Sequence, residues 1–213
     1  VARLPRLRRR RRAAVSDDVD AESIAAAAEA IAAGELVVYP TETVYGLAGD
    51  ATDPDAVERV FEAKGRSRDK PLSMAVPDVG TALAYTCPTE REEQFMREFL
   101  PGPVTVVVDR WEMLPDGLTA GKPKVGIRIP DHPIALALLE AAGAVTATSA
   151  NISGTPSATT VDELDDSAEA AAVVLDGGGT DGGTGSTVLD VAAGDIIRRG
   201  AEADAVEAWL AEH

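Results

Sequence analysis

Leu36-Val37-Val38-Tyr39-Pro40-Thr41-Glu42-Thr43-Val44-Tyr45-Gly46-Leu47 is the stretch on which the reading of this chain turns. Leu36–Tyr39 is a short apolar run with the composition of a buried strand. The residues after it pack two threonines, a carboxylate and a tyrosine into a turn that ends on Gly46. Hydroxyls, a carboxylate and exposed backbone at a strand end make a small polar cradle, where ligands of open α/β sheets commonly sit. Taken alone, the same residues also suit an ordinary strand-to-loop exit.

Outward from that stretch, helix and strand signals alternate. Residues 21–33 are alanine-rich, with Ile24 and Ile31 seven apart, and Gly34 closes the predicted helix. Asp53-Pro54 opens a second helix, aspartate as cap and proline at the first helical position. Val57, Val60 and Phe61 give it one buried face, and Gly65 ends it, so Lys64 and Arg66 flank a helix C-terminus. Residues 72–76 predict a strand, and Thr89-Glu90-Arg91-Glu92 a capping box for a helix through Phe99. Val104–Asp109 and residues 125–129 are β-rich runs bounded by Gly and Pro. Residues 131–142 predict a helix closed by Gly143, and residues 145–148 a strand that delivers Ser149. Thr160-Val161-Asp162-Glu163 predicts a second capping box. Residues 173–175 and 187–191 read as strands around a glycine-rich loop, residues 196–198 as a last strand, and residues 204–212 as a closing helix. Elements interleaved without repeats predict an α/β class with a twisted, mixed sheet.

The length, 213 residues, suits one well-buried domain. No apolar run approaches the ~20 residues of a membrane helix, so a soluble protein is expected. The single cysteine, Cys87, agrees with a reducing, cytoplasmic setting, and two histidines are too few for a histidine-rich metal site. Charge is uneven. Formal net charge is -16, yet seven of the 20 basic residues are arginines between Arg3 and Arg12. Without them 13 basic residues face 36 acidic ones, a net of -23. Such a body repels polyanions and itself, and molar salt relieves this by shrinking the screening length to ~3 Å. A protein of a high-salt cytoplasm is the reading; an ordinary acidic protein is the alternative. Residues 1–16 form a basic arm, predicted to be disordered. It reads as a nucleic-acid contact, a targeting peptide or translated sequence upstream of the true start, and the compositional break favours the last.

Against this acidity, Lys64, Arg66, Arg68 and Lys70 place four cations within seven residues. Arginine grips phosphate or carboxylate bidentately, and lysine acts as a mobile point charge. The alternative is a solvated basic loop. Arg128 lies within the apolar strand Gly126-Ile127-Arg128-Ile129-Pro130, facing either a ligand or solvent. Ser149 and Asn151 follow a buried strand, where short polar side chains bind a ligand or cap the turn. No histidine is placed to activate Ser149, which argues against a serine hydrolase. Residues 177–187 are rich in glycine but lack the lysine of a phosphate-binding P-loop, and no long helix follows.

The ordered set Tyr39-Pro40-Thr41-Glu42-Thr43-Val44-Tyr45-Gly46-Leu47, Lys64-Gly65-Arg66, Pro101-Gly102-Pro103-Val104-Thr105, Ser149-Ala150-Asn151 and Ser186-Thr187-Val188 resembles the YrdC family. The resemblance runs from about Leu36 to Arg198, in its short, single-domain branch, and implies a catalytic domain over residues 17–213 with helices flanking the sheet. It implies a nucleotidyltransferase forming threonylcarbamoyl-AMP and pyrophosphate from L-threonine, bicarbonate and ATP, with Mg2+ accompanying ATP. The product would feed a tRNA-modifying transferase acting on the adenosine next to the anticodon. By motif matching, Lys64 and Arg66 are catalytic. Lys64, Arg66, Lys70, Lys124, Asn151, Thr159 and Arg198 serve ATP, and Thr43, Arg128, Ser149 and Ser186 serve threonine; no metal ligands are implied. In one respect the chain departs from the pattern: Ala75 stands where some members carry a histidine. Two other readings are a carbamoyl-adenylating enzyme for another acceptor and a double-stranded RNA-binding module. The net of -23 opposes the latter, and direct tRNA binding with it, except through the arm.

Overall fold

The structure is a computed structural model that describes residues 19–180 and 182–213; the predicted arm, residues 1–16, lies outside them. Nine strands form one mixed sheet. In chain order they are β1 (Leu36–Tyr39), β2 (Gly46–Ala48), β3 (Ser73–Ala75), β4 (Val104–Asp109), β5 (Lys124–Arg128), β6 (Val145–Ser149), β7 (Ala171–Val174), β8 (Thr187–Asp190) and β9 (Asp195–Arg198). Across the sheet they run β7-β1-β2-β6-β3-β5-β4-β8-β9, so neighbours in space are often distant in sequence. Three pairs are parallel, β1 with β7, β3 with β5 and β4 with β8, and the rest antiparallel. This is the α/β, mixed-sheet class expected.

Helices cover both faces. Period-2 alternation splits β1: Leu36 and Val38 enter the larger core, Val37 and Tyr39 the smaller one. The smaller core is closed by α1 (Ala21–Ala32) and α6 (Pro133–Ala142), through Ala27, Ile31, Leu138 and Leu139. The larger takes Val57, Val60 and Phe61 of α2 (Pro54–Lys64), with Phe95 and Met96 of α4 (Glu90–Phe99) and Val206 and Trp209 of α7 (Ala203–Glu212). Local chemistry sets the helix ends as predicted. Asp53 caps α2 by accepting from the Asp55 amide, and Gly65 ends it in the left-handed region at φ 55°. At Thr89 the reciprocal capping box with Glu92 is present.

Four elements escaped the sequence reading: β2, α3 (Val79–Tyr85), α5 (Asp116–Thr119) and a 3-10 helix at Asp166–Ala170. The second predicted capping box is absent. Thr160 makes no side-chain cap, and Glu163 instead receives the amide and hydroxyl of Thr159 (2.7 and 2.8 Å), leaving only a 3-10 turn at Val161–Glu163.

Candidate active site

Strand register shows which side chains share the face on which the turn after β1 lies. Ala147, Ser73 and Gly126 are successive cross-strand partners, as are Val145, Ala75, Arg128 and Thr105 in the next row. Most of these are small. A Cβ on Gly126 would lie 2.6 Å from Ser73 Oγ and 3.0 Å from Thr105 Cγ2, so this position admits no side chain without displacing its neighbours. Small residues at the sheet centre let Ser73 and Thr105 close over Gly126, beside Arg128. Ala75, at the position of the histidine that some family members carry, pairs with Arg128 across β3 and β5 and is fully buried.

The turn after β1 is fixed by Thr41. Its Oγ1 accepts from the amides of Thr43 and Val44 (both 3.2 Å) and donates to the Val44 carbonyl (2.6 Å). That geometry presents Glu42 and Thr43 to Arg128, whose Nη2 lies 3.0 Å from Glu42 Oε1 and 3.2 Å from Thr43 Oγ1. Four inter-strand steps separate β1 from β5, about 19 Å if the sheet were flat. Curl of the sheet and fold-over of the turn together close that span.

Three more cations lie near enough to sense one another or Arg128. Lys64, 2 % exposed at the end of α2, donates Nζ to the carbonyls of Ser149 and Asn151. Burial and the nearby Arg66 lower its pKa from 10.5 to about 8, while Asp165 opposes the shift. Arg66 reaches from its loop to the carbonyls of Lys70 (3.1 Å) and Pro71 (2.9 Å). Arg198, at the end of β9, donates to the Ser186 carbonyl and hydroxyl. Desolvation of its guanidinium, then the charges of Arg128 and Arg66, hold its pKa below the usual arginine value. Like charges that sense one another in so acidic a chain form a concentrated positive field. Lys64, Arg66 and Arg198 bond only to carbonyls and one hydroxyl among the described residues; Arg128 alone has a carboxylate partner, Glu42.

The glycine-rich segment lies across the turn. Gly183 donates to the Thr43 carbonyl (3.0 Å), and a Cβ at Gly182 would fall 2.8 Å from Thr43 Cα, an approach only glycine permits. Tyr45 anchors its start: the hydroxyl donates to the Gly178 carbonyl (2.7 Å) and accepts from the Gly177 amide (3.2 Å). Ser186 Oγ is 2.9 Å from Thr105 Oγ1, which ties its end to the row containing Arg128.

Not every predicted residue joins this group. Lys124 stands at the other end of β5 from Arg128, about 13 Å along the strand, and is paired with Asp190 at 2.6 Å. Lys70 is exposed; its carbonyl holds Arg66. The Thr159 hydroxyl is taken by Glu163. Asn151 is buried, and its Nδ2 bonds the carbonyls of Ile152 and Thr155 while its Oδ1 accepts from Ser149, so both residues brace the turn that Lys64 grips. Sequence reasoning left Glu42, Thr105 and Tyr45 without roles, although all three lie in the quoted motifs; β-alternation along β4 was the available signal for Thr105. The cations gathered here do not suit a resident divalent metal, and among the described residues no three His, Cys, Asp or Glu side chains cluster as a metal site.

A family model for Sua5, YciO and YrdC proteins, described as telomere recombination, matches residues 29–200. The chain belongs to this Sua5/YciO/YrdC family. It is 41 % identical over 173 residues to the threonylcarbamoyl-AMP synthase of Bacillus subtilis, covering 79 % of this chain and 50 % of that protein. It is likewise 41 % identical over 181 residues to the threonylcarbamoyl-AMP synthase of Pyrococcus abyssi, covering 83 % of this chain and 53 % of that one. The chain thus spans about half the length of these curated relatives. A crystal structure of P. abyssi Sua5 complexed with L-threonine superposes with a TM-score of 0.76 at 39 % identity, over 83 % of this chain and 54 % of that one. Among the described residues, no helix is long and apolar enough to cross a membrane.

Proposed function

We propose that this chain catalyses the threonylcarbamoyl-AMP synthase reaction. The amine of L-threonine combines with bicarbonate to give a carbamate and water. A carbamate oxygen then attacks the α-phosphorus of ATP, and pyrophosphate leaves. Every participant is or becomes anionic, so the reaction calls for fixed positive charge held away from bulk water. The observation that carries this reading is the convergence of Lys64, Arg66 and Arg198, three cations without carboxylate partners among the described residues, in a chain whose body is strongly acidic. These serve the triphosphate and the charge that develops on it, with Lys70 as a further phosphate contact that side-chain rotation could bring in. Arg128 and Thr43 hold threonine, and Ser149 and Ser186 shape its pocket. Magnesium enters as the ATP complex, held by phosphate oxygens. The Sua5 structure with L-threonine and the naming of the curated relatives support the choice of amino acid and product.

The reading extends to a cytoplasmic, high-salt setting, in keeping with the charge and the single cysteine, and to hand-over of the labile adenylate to a tRNA-modifying transferase. The test is pyrophosphate release at molar salt. It should require threonine, bicarbonate and magnesium–ATP together. Equal turnover with serine or with no amino acid would move the assignment to a carbamoyl-adenylating enzyme for another acceptor. Removing residues 1–12 should leave activity intact; loss of RNA affinity instead of activity would favour an RNA-binding module.

A further inference from the structure

The Arg128–Glu42 pair is half made. One hydrogen bond joins them, Nη2 to Oε1 at 3.0 Å, whereas guanidinium and carboxylate usually meet through two. The other two atoms, Arg128 Nη1 and Glu42 Oε2, are both buried and have no hydrogen-bond partner among the described residues. A buried donor and a buried acceptor left open within one ion pair are costly, and natural proteins keep such groups for a reason. Both belong to a rigid frame: Arg128 to the middle of the sheet, Glu42 to the turn that Thr41 locks.

Arg198 lies near enough to sense the charge of Arg128. Burial drives the Tyr39 phenol up to about 12 and keeps it neutral, with Arg128 opposing and Glu42 adding to that shift. His132, at the start of α6, has its pKa lowered by burial despite Glu42 and Asp131, so its imidazole is neutral at pH 7 and above. Within the pair itself one positive and one negative charge cancel. Lys64, Arg66 and Arg198, by contrast, have no carboxylate partners among the described residues. The uncompensated group selects a polyanion. The compensated pair, with one open donor and one open acceptor, selects a ligand that carries both charges on adjacent atoms.

We infer that Glu42 is the ammonium-binding residue for an α-amino acid zwitterion, whose carboxylate meets Arg128 Nη1 while its ammonium meets Glu42 Oε2. This rests on the proposed function for the identity of the amino acid and adds to it a specificity residue. Glu42 excludes hydroxy acids and simple carboxylates, which would leave its carboxylate buried and facing another anion or a neutral group.

Calorimetric titration at molar salt with L-threonine and with 3-hydroxybutanoate, its analogue lacking the amino group, tests this. Wild type should prefer threonine strongly, and Glu42→Gln should lose about thirty- to a hundredfold of threonine affinity. The same substitution should leave 3-hydroxybutanoate binding unchanged or tighter and ATP binding within about twofold. Glu42→Asp, which keeps the charge, should restore part of the preference. A Glu42→Gln protein that loses both ligands equally, or neither, would reduce Glu42 to a prop for Arg128 and overturn the inference while the proposed function stands. If the glutamine variant fails to fold, the wild-type comparison and Glu42→Asp decide, and a wild type that binds both ligands equally overturns it. A wild type that binds no α-amino acid overturns the proposed function as well.

Discussion

Arg198 donates through two nitrogens to Ser186, with Nη2 2.8 Å from the carbonyl and 3.0 Å from the hydroxyl, and Nε 3.1 Å from the same carbonyl. It thereby ties the end of the glycine-rich segment to the edge of the sheet, and Thr105 continues the tie toward Arg128. A lysine can supply the charge but not this planar fork. Arg198→Lys is therefore expected to lower ATP affinity about tenfold and Arg198→Ala further, with threonine affinity less affected. Titration calorimetry measures both, and equal ATP affinity in wild type and Arg198→Ala would remove Arg198 from the nucleotide site.

Arg66 carries two tasks. Its bonds to the Lys70 and Pro71 carbonyls shape the loop after α2, and each charge-assisted bond contributes about 1.5–3 kcal/mol at most in such settings. Arg66→Ala should cost about 1–2 kcal/mol of stability and raise the barrier by ~2–4 kcal/mol. Denaturant unfolding and steady-state kinetics on the same preparation separate these; a mutant that melts far lower yet keeps its turnover would make Arg66 purely structural.

Arg128→Gln leaves the Glu42 carboxylate buried without its counter-charge. Breaking one side of such a pair costs ~3–5 kcal/mol, whereas removing both charges costs far less. The single variant should melt well below wild type, and the double variant Arg128→Gln/Glu42→Gln should recover most of that loss. In the single variant threonine affinity should fall by roughly ten- to a hundredfold, with ATP affinity nearly intact. Additive thermal shifts in the two single variants would show that the pair is uncoupled.

Lys64 gives opposite pH trends for stability and for nucleotide binding. Burial, then Arg66, sets its folded pKa at about 8 against 10.5, with Asp165 opposing. Below about 8 both states hold the proton; between about 8 and 10.5 only the unfolded chain does, so its contribution to stability rises with pH across that window. With the ammonium serving the triphosphate as proposed, ATP affinity should fall as pH passes 8, and binding there should take up a proton. Calorimetry in buffers of different ionisation enthalpy reads that uptake, which Lys64→Met should abolish.

Tyr45→Phe removes the hydroxyl that holds the Gly178 carbonyl and the Gly177 amide. Stability should drop by about 1 kcal/mol, and limited proteolysis should cut residues 177–186 faster. An unchanged cleavage rate would mean that the contacts of Gly183 and Ser186 hold the segment without Tyr45.

What the sequence by itself determined is local. The cap at Asp53, the period of Val57, Val60 and Phe61, and the stop at Gly65 act within a few residues, so they fixed α2 and placed Lys64 and Arg66 at its end. Leu36–Tyr39, Val104–Asp109 and the capping box at Thr89 were legible for the same reason. β2 was not: three residues buried on both faces show no alternation. At Thr160 the capping-box pattern was present, but Glu163 was captured by Thr159, one residue earlier. Only the tertiary structure decided the site. Glu42 meets Arg128 from 86 positions away, and Asp190 draws Lys124 off from 66 away. Those partners depend on a strand order that shuffles the chain and on the curl that closes it. No local window carries that order, because it emerges only when both cores are packed and each strand has found its neighbour.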